Sequence, residues 1–102
     1  MSDKVYSINE IKNILSVFLQ NTEVKKVTLF GSYAKNSANS NSDIDLVIDS
    51  NGKIRGFKLF SLITKIEDLF GKNVDAFEQS EITPNSLVDK EIKNTGVVIY
   101  EW

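Results

Sequence analysis

Two closely spaced aspartates carry the chemistry that this sequence most directly indicates. Asp43 and Asp45 stand at positions i and i+2 of the alternating segment from Asp43 to Asp49, so on a β-strand their side chains project from the same face. Two carboxylates held that close repel each other, and a divalent cation between them relieves the repulsion. Hard oxygen ligands of this kind suit Mg²⁺ or Mn²⁺, with substrate phosphates in the remaining coordination positions. The pair therefore predicts a metal site.

A third acid, Asp75, lies in the next predicted strand, between Val74 and Ala76. If that strand lies beside the first, three carboxylates converge. Two-metal phosphoryl and nucleotidyl transfer requires this arrangement, with one ion at the attacking oxygen and one at the leaving phosphates. Asp49 and Glu78 are the alternative third ligands, and the plainer interpretation of Asp75 is an exposed surface acid.

Gly31 and Ser32 stand where one predicted strand ends and a short helical turn, Ser32 to Lys35, begins. Without a Cβ at Gly31 the backbone can approach a phosphate closely, and the Ser32 amide and hydroxyl are donors at the start of the turn. Lys35 is a further candidate for phosphate contact, although a solvated lysine is the simpler interpretation, and Ser32 can also be a plain helix cap. The spacing carries the argument: ten residues separate Gly31-Ser32 from Asp43, which places the turn beside the carboxylates if the two strands are neighbours.

The composition narrows the chemistry further. Cysteine and histidine are both absent, so a metal site must use oxygen ligands, and acid–base steps fall to carboxylates, lysine or tyrosine. Twelve basic and fourteen acidic residues give a formal charge of −2. This balance argues against a dedicated nucleic-acid binder, and we expect no direct nucleic-acid partner.

The elements that position these residues alternate along the chain. Ser7 and Glu10 form a capping box that opens a helix ending near Asn21. Thr83 and Pro84 predict the start of the last helix, with Thr as cap and Pro at the first position. The other predicted elements are strands Val24 to Phe30, Asp43 to Asp49, Val74 to Phe77 and Val97 to Glu101, and a helix from about Arg55 to Phe70.

Crossover helices between successive strands predict an α/β (α+β) fold, a mixed sheet of about four strands with helices packed mainly on one face. Residues 1–102 are expected to form one minimal domain. No apolar run is long enough to span a membrane, and the N-terminal segment lacks the basic region and apolar stretch of a secretory signal. We therefore expect a soluble, cytoplasmic protein with no membrane partner.

The segment Gly31-Ser32-Tyr33-Ala34-Lys35-Asn36, the polar loop after it and the segment from Ser42 to Ile48 resemble the signature of the DNA polymerase β nucleotidyltransferase superfamily. The likeness is to its minimal prokaryotic branch, the MNT domain proteins. It implies the nucleotidyltransferase fold, Mg²⁺-dependent binding of a nucleoside triphosphate, and Asp75 as the third carboxylate, able to act as base on the acceptor hydroxyl. Many relatives have Arg-Gly where this chain has Lys35-Asn36, and lysine keeps the charge but not the bidentate fork of arginine.

In the MNT branch, such proteins are commonly encoded with a HEPN-domain ribonuclease toxin. The MNT member is the antitoxin, and it transfers AMP from ATP to a tyrosine of the toxin. The resemblance therefore implies an MntA-like protein adenylyltransferase that uses ATP and two Mg²⁺ ions, with homo- or hetero-oligomers as possible assemblies.

Two other functions stay open. A non-catalytic antitoxin would neutralise its partner by binding alone, and would still protect cells after loss of the aspartates. A small-molecule nucleotidyltransferase of the aminoglycoside type would need a separately encoded subunit to hold the acceptor. The identity of the adjacent gene distinguishes these functions most cheaply.

Overall fold

A computed structural model describes residues 4–102 and shows a mixed four-stranded sheet with three helices. The strands lie in the order β3-β2-β1-β4; β2 and β3 are parallel, whereas β1 is antiparallel to both of its neighbours. The predicted mixed sheet is therefore confirmed. The elements in chain order are α1 (Ile8–Phe18), β1 (Lys26–Phe30), β2 (Ile44–Asp49), α2 (Phe57–Phe70), β3 (Val74–Glu78), a 3₁₀ helix (Gln79–Glu81), α3 (Leu87–Thr95) and β4 (Val97–Glu101).

Helix α1 begins at the predicted capping box. The Glu10 N–H donates to the Ser7 hydroxyl at 3.0 Å, and the Ser7 N–H donates to the Glu10 carboxylate at 2.9 Å. The helix ends at Phe18, somewhat earlier than predicted, and Asn21 has a left-handed φ of 65°. Asparagine tolerates this conformation, so the residue predicted to end the helix instead forms part of the turn that follows it.

The two faces of the sheet are covered by different elements. Helices α1 and α2 cover one face, where their apolar side chains and those of the strands form the buried core. The other face carries Asp45 and Asp75, together with Phe30 and Val47, which are buried outside that core. Helix α3 packs against β1 on this second face. Helices thus lie mainly on one face, as predicted, and α3 lies beside the acidic residues.

The predicted start of the last helix is wrong. Thr83 and Pro84 lie in a turn that the Ser86 N–H closes by donating to the Thr83 carbonyl at 3.2 Å. Asn85 has a φ of 64° within this turn, and proline followed by a positive-φ residue is the pattern of a type II turn. Helix α3 therefore begins at Leu87, with Ser86 as its cap.

Glu78 holds the end of β3 to the loop that follows β2. Its carboxylate is buried and accepts from the Ser50 N–H and hydroxyl at 2.9 and 2.6 Å, from the Gly52 N–H at 3.2 Å, and from the Ser80 N–H and hydroxyl at 2.7 and 2.6 Å. Burial by itself would raise the pKa of Glu78, but the hydrogen bonds from Ser50 and Ser80 outweigh it and lower the pKa to about 2. The carboxylate is fully used within the fold and is unavailable as a third metal ligand.

Glu78→Gln is expected to destabilise the fold by about 2–3 kcal/mol, because the amide nitrogen cannot accept from the donors that the second carboxylate oxygen satisfies. Urea unfolding at neutral pH measures the effect, with Glu81→Gln as the control, since Glu81 is an exposed acid on the neighbouring 3₁₀ helix. The wild-type contribution is present above the ordinary glutamate pKa and is lost as the pH falls toward 2. Equal unfolding midpoints for the two variants would contradict this role.

Candidate active site

The sheet register brings two of the predicted site residues together. Parallel pairing places Asp45 of β2 directly opposite Asp75 of β3, and antiparallel pairing places Phe30 of β1 on the other side of Asp45. Residues in register point to the same face of a sheet. Asp43 precedes the first residue of β2 and lies close enough to Asp45 to act on its charge. The three aspartates therefore meet where β2 and β3 begin and β1 ends.

Asp45 lies at the electrostatic centre of this cluster. Partial burial raises its pKa to about 6, and the negative charges of Asp75, Glu91 and Asp43 add to that effect in this order. An ionised Asp45 is thus held near three other acids in a partly desolvated position. Such a cluster favours a cation.

Glu91, on α3, is the residue that the sequence analysis missed. It is exposed on a helix with an ordinary amphipathic pattern and belongs to no motif. Only the packing of α3 against β1 brings it beside Asp45, so no local signal in the sequence could have identified it.

Glycine is required at position 31 because the residue there lies in close contact with Asp45. Its φ is +75°, and a Cβ added there would overlap the Asp45 Oδ2 and lie 3.5 Å from the Glu91 Oε1. The space left by the missing side chain is occupied by a carboxylate of the cluster. This constraint is separate from the close approach to phosphate that the sequence suggested for the same residue.

The segment after Gly31 forms a hydrogen-bonded turn, as predicted. The Gly31 carbonyl accepts from the Lys35 N–H at 3.1 Å, and the Ser32 carbonyl accepts from the Ser37 N–H at 2.9 Å. Tyr33 is only 2% exposed and joins the core beneath the sheet. The turn is therefore anchored to the buried core.

The turn leaves Ser32 as its available donor. The Gly31 N–H already donates to the Thr95 hydroxyl at 3.0 Å. Within residues 4–102 the Ser32 N–H and hydroxyl have no hydrogen-bond partner, and Ser32 is partly exposed. Lys35 is exposed nearby. Ser32 and Lys35 thus stand open to a ligand, whereas the Gly31 amide is engaged.

The other predicted alternative, Asp49, lies at the opposite end of β2. It pairs with Lys26, and its Oδ1 accepts from the Asn51 N–H at 3.1 Å. The Asp49 side chain therefore stabilises the turn after β2 and is not part of the acidic cluster.

The donor set fits a hard divalent cation that substrate helps to coordinate. In the part of the chain that the structure describes, no group of three or more acidic side chains is already arranged to hold a metal ion by itself. Mg²⁺ rarely uses an all-protein cage, since it keeps water and takes phosphate oxygens alongside one or two carboxylates. The facing carboxylates of Asp45 and Asp75 fit that mode of binding. The loop before Asp43 is also tied down, because the Lys72 ammonium donates to the Ser40 carbonyl at 2.8 Å.

Comparison with known proteins decides the family. Residues 9–102 match the family model described as polymerase beta, nucleotidyltransferase. The chain belongs to the polymerase beta nucleotidyltransferase family. Two of its relatives in Methanocaldococcus jannaschii are named as candidate protein adenylyltransferases. One is 34% identical over 91 residues, covering 89% of this chain and 96% of the relative, and the other is 34% identical over 97 residues, covering 91% and 98%.

Solved structures share the fold of this nucleotidyltransferase at low sequence identity. One, described as a toxin–antitoxin crystal structure with AMP-PNP, has a TM-score of 0.74 and 18% identity, and the match covers 95% of this chain and 75% of that one. Another, described as a tri-AMPylated Shewanella oneidensis HEPN toxin in complex with an MNT antitoxin, has a TM-score of 0.71 and 15% identity, and covers 93% and 73%. The predicted family and fold are confirmed. None of the helices in residues 4–102 is long and apolar enough to cross a membrane.

Asp45 gives the metal-free nucleotidyltransferase a distinctive pH dependence. A raised pKa means that the folded state holds the Asp45 proton more tightly than the unfolded state does, so ionisation costs stability. The free energy of unfolding of the wild type is expected to fall, relative to Asp45→Asn, as the pH rises from about 4 to about 6, and to stay lower above that. Urea unfolding in the presence of a chelator measures this difference. Parallel pH profiles for the two proteins would contradict the assignment.

Proposed function

We propose that this nucleotidyltransferase transfers AMP from ATP to a hydroxyl of a partner protein in a Mg²⁺-dependent reaction, and that it acts in the cytoplasm as the antitoxin of a HEPN-type toxin, with tyrosine as the acceptor. The observation that carries the proposal is the register of β2 and β3, which sets Asp45 opposite Asp75 beside the turn at Gly31. Such a site can gather metal ions and a triphosphate in one place.

The proposed roles follow from where each side chain lies. Asp43 and Asp45 would hold the divalent ions, and Asp75 would complete the site from the neighbouring strand. Mg²⁺ held there would supply positive charge to the reacting phosphates and would favour ionisation of the acceptor hydroxyl. Ser32, whose N–H and hydroxyl have no hydrogen-bond partner within residues 4–102, binds the triphosphate, with Lys35 as an additional charge nearby.

The bond changes are those of a nucleotidyl transfer. The acceptor oxygen forms a bond to the α-phosphorus of ATP, the bond from that phosphorus to the bridging oxygen of the β-phosphate breaks, and pyrophosphate leaves. The Asp75 carboxylate accepts the proton of the acceptor hydroxyl. Asp75 is the more exposed of the facing pair, so an acceptor can reach it from solvent.

The names of similar proteins support the choice of nucleotide and acceptor. The Methanocaldococcus jannaschii relatives are named for adenylyl transfer to protein. The solved structures with the same fold are described with AMP-PNP or with an AMPylated HEPN toxin. A separate HEPN-type protein is therefore the acceptor to test first.

The test uses the purified chain, ATP labelled at the α-phosphate, Mg²⁺ and the product of the adjacent gene. We expect label on the partner, with mass spectrometry placing AMP on a tyrosine. Asp49→Asn should transfer as the wild type does, because Asp49 lies outside the cluster, whereas Asp43→Asn combined with Asp45→Asn should not. No label with the wild type, or equal label with the double variant, would reject the proposal.

A binding-only antitoxin is the second candidate, favoured by the apolar surface of α2. Phe57 is 94% exposed and Phe60 is 69% exposed, and exposed apolar groups of this kind are typical of protein–protein contacts. Toxin neutralisation in cells separates the two functions. The double variant at Asp43 and Asp45 should still protect if binding suffices, and should fail to protect if AMP transfer is required.

A further inference from the structure

The last turn of α3 carries a hydroxyl that joins the helix to the turn after β1. The Thr95 Oγ1 accepts from the Gly31 N–H at 3.0 Å and donates to the Glu91 carbonyl at 2.8 Å. The hydroxyl proton and one lone pair of the oxygen are thus both engaged in hydrogen bonds. Thr95 belongs to none of the motifs in the sequence, and it lies 64 positions along the chain from Gly31, whose N–H it accepts.

The position of Thr95 is itself fixed by the end of its helix. The Gly96 N–H donates to the Ile92 carbonyl at 2.7 Å, and a Cβ at Gly96 would meet that carbonyl and lie 3.1 Å from the Thr28 Cγ2. The end of α3 therefore packs directly on β1. A threonine in this turn cannot shift without moving the helix end.

The hydrogen bond between Gly31 and Thr95 determines which N–H groups of the turn are left available to bind a ligand. With the Gly31 N–H engaged, the next donors along the turn are the Ser32 N–H and hydroxyl, which have no partner within residues 4–102. The engaged N–H belongs to a residue with a left-handed φ of +75° that lies directly against the Asp45 carboxylate. One hydroxyl thus restrains both the phosphate-binding turn and its distance from the acidic cluster.

We propose that Thr95 is a positioning residue of the nucleotidyl-transfer site: its hydroxyl holds the Gly31 amide, so that Ser32 faces the triphosphate and Asp45 keeps its place beside the turn. This role rests on the proposed function. Thr95 touches neither the nucleotide nor the acceptor; it acts through Gly31.

The chain offers a matched control in α2. The Thr64 Oγ1 donates to the Phe60 carbonyl at 3.0 Å, which is the same bond to the residue four positions earlier that Thr95 makes, but Thr64 is exposed on α2, which packs on the opposite face of the sheet from Asp45. Thr64→Val removes that bond alone. Thr95→Val removes it together with the bond from Gly31, and Thr95→Ser keeps both.

The test compares AMP transfer by these variants with amide hydrogen exchange at Gly31. In Thr95→Val we expect KM for ATP to rise about tenfold, with a smaller fall in kcat, because the freed amide lets the turn shift while the aspartates remain. Gly31 exchange should become about tenfold faster. Thr95→Ser should restore both values to within about twofold of the wild type, and Thr64→Val should change neither.

The outcomes separate this inference from the proposed function. An active wild type with unchanged KM in Thr95→Val, or with Gly31 exchange equal in the two proteins, overturns the role of Thr95. A wild type that transfers no AMP rejects the proposed function instead, and the Gly31 exchange rates still decide the contact. If Thr95→Val does not fold by circular dichroism, Thr95→Ala is measured with the same expected values and the same grounds for rejection.

Discussion

Replacing Asp45 by asparagine is expected to abolish AMP transfer while stabilising the protein. Asparagine keeps the shape of the side chain that fits against Gly31 but removes the charge that a cation would bind. Metal-ion stabilisation of a transition state is worth several kcal/mol, and each 1.36 kcal/mol changes a rate tenfold. The rate should therefore fall by at least about a thousandfold.

The expected gain in stability comes from the same charge. Partial burial and three acidic neighbours raise the pKa of Asp45 to about 6, so the ionised form costs the folded state free energy at neutral pH. Solvent screens a half-exposed group and reduces that cost, and we expect Asp45→Asn to be more stable by about 1–2 kcal/mol. A residue that lowers the stability of the folded protein but supplies a charge needed for activity is typical of an active site.

Asp49→Asn is the control for both measurements, because it removes an acid from the same strand outside the cluster. Transfer of labelled AMP gives the rate, and urea unfolding at neutral pH with a chelator gives the stability. An Asp45→Asn variant that is as active as the wild type would contradict the proposed chemistry. If Asp45→Asn lost as much stability as Asp49→Asn, the electrostatic origin of the expected gain in stability would be contradicted.

Gly31→Ala is expected to reduce AMP transfer at least about a hundredfold and to destabilise the fold. The added methyl group would overlap the Asp45 Oδ2, so either the carboxylate or the turn must move. A displacement of about 1 Å in a catalytic site can cost a hundredfold in rate. The left-handed backbone adds about 1–2 kcal/mol of strain to the folded state.

Gly52 supplies a control for the backbone strain. Its φ is +74°, against +75° for Gly31, but a Cβ there would lie 3.6 Å from the Ser80 Oγ, an ordinary contact. Gly52→Ala should therefore show the strain alone, with near-normal transfer. Urea unfolding and transfer rates compare the two variants. Equal effects on both quantities would show that the contact between Gly31 and Asp45 is unimportant.

Local signals in the sequence predicted most of the fold. The capping box at Ser7 and Glu10 begins α1, and the alternation from Asp43 onward becomes β2, because both patterns depend only on near neighbours. The predicted start of α3 was wrong because the local signal at Pro84 fits two structures. Pro84 suits either the first turn of a helix or a type II turn, and the left-handed Asn85 decides for the turn.

The acidic cluster was predictable only in part. The spacing of Asp43 and Asp45 fixes their common side, and the crossover through α2 makes β3 a natural neighbour of β2, which brings Asp75 opposite Asp45. Glu91 and Thr95 come from a helix that packs across the sheet from another part of the chain. Their placement depends on tertiary packing, which no periodicity in the sequence encodes.

Isothermal titration of ATP into the protein, with Mg²⁺ and with a chelator, tests the central claim most directly. The acidic cluster and the turn at Gly31 predict saturable binding of ATP that requires the metal, that is lost in Asp45→Asn, and that persists in Asp49→Asn. Binding of equal affinity with Mg²⁺ and with the chelator, or in the wild type and Asp45→Asn, would contradict the claim that these aspartates form a metal–nucleotide site.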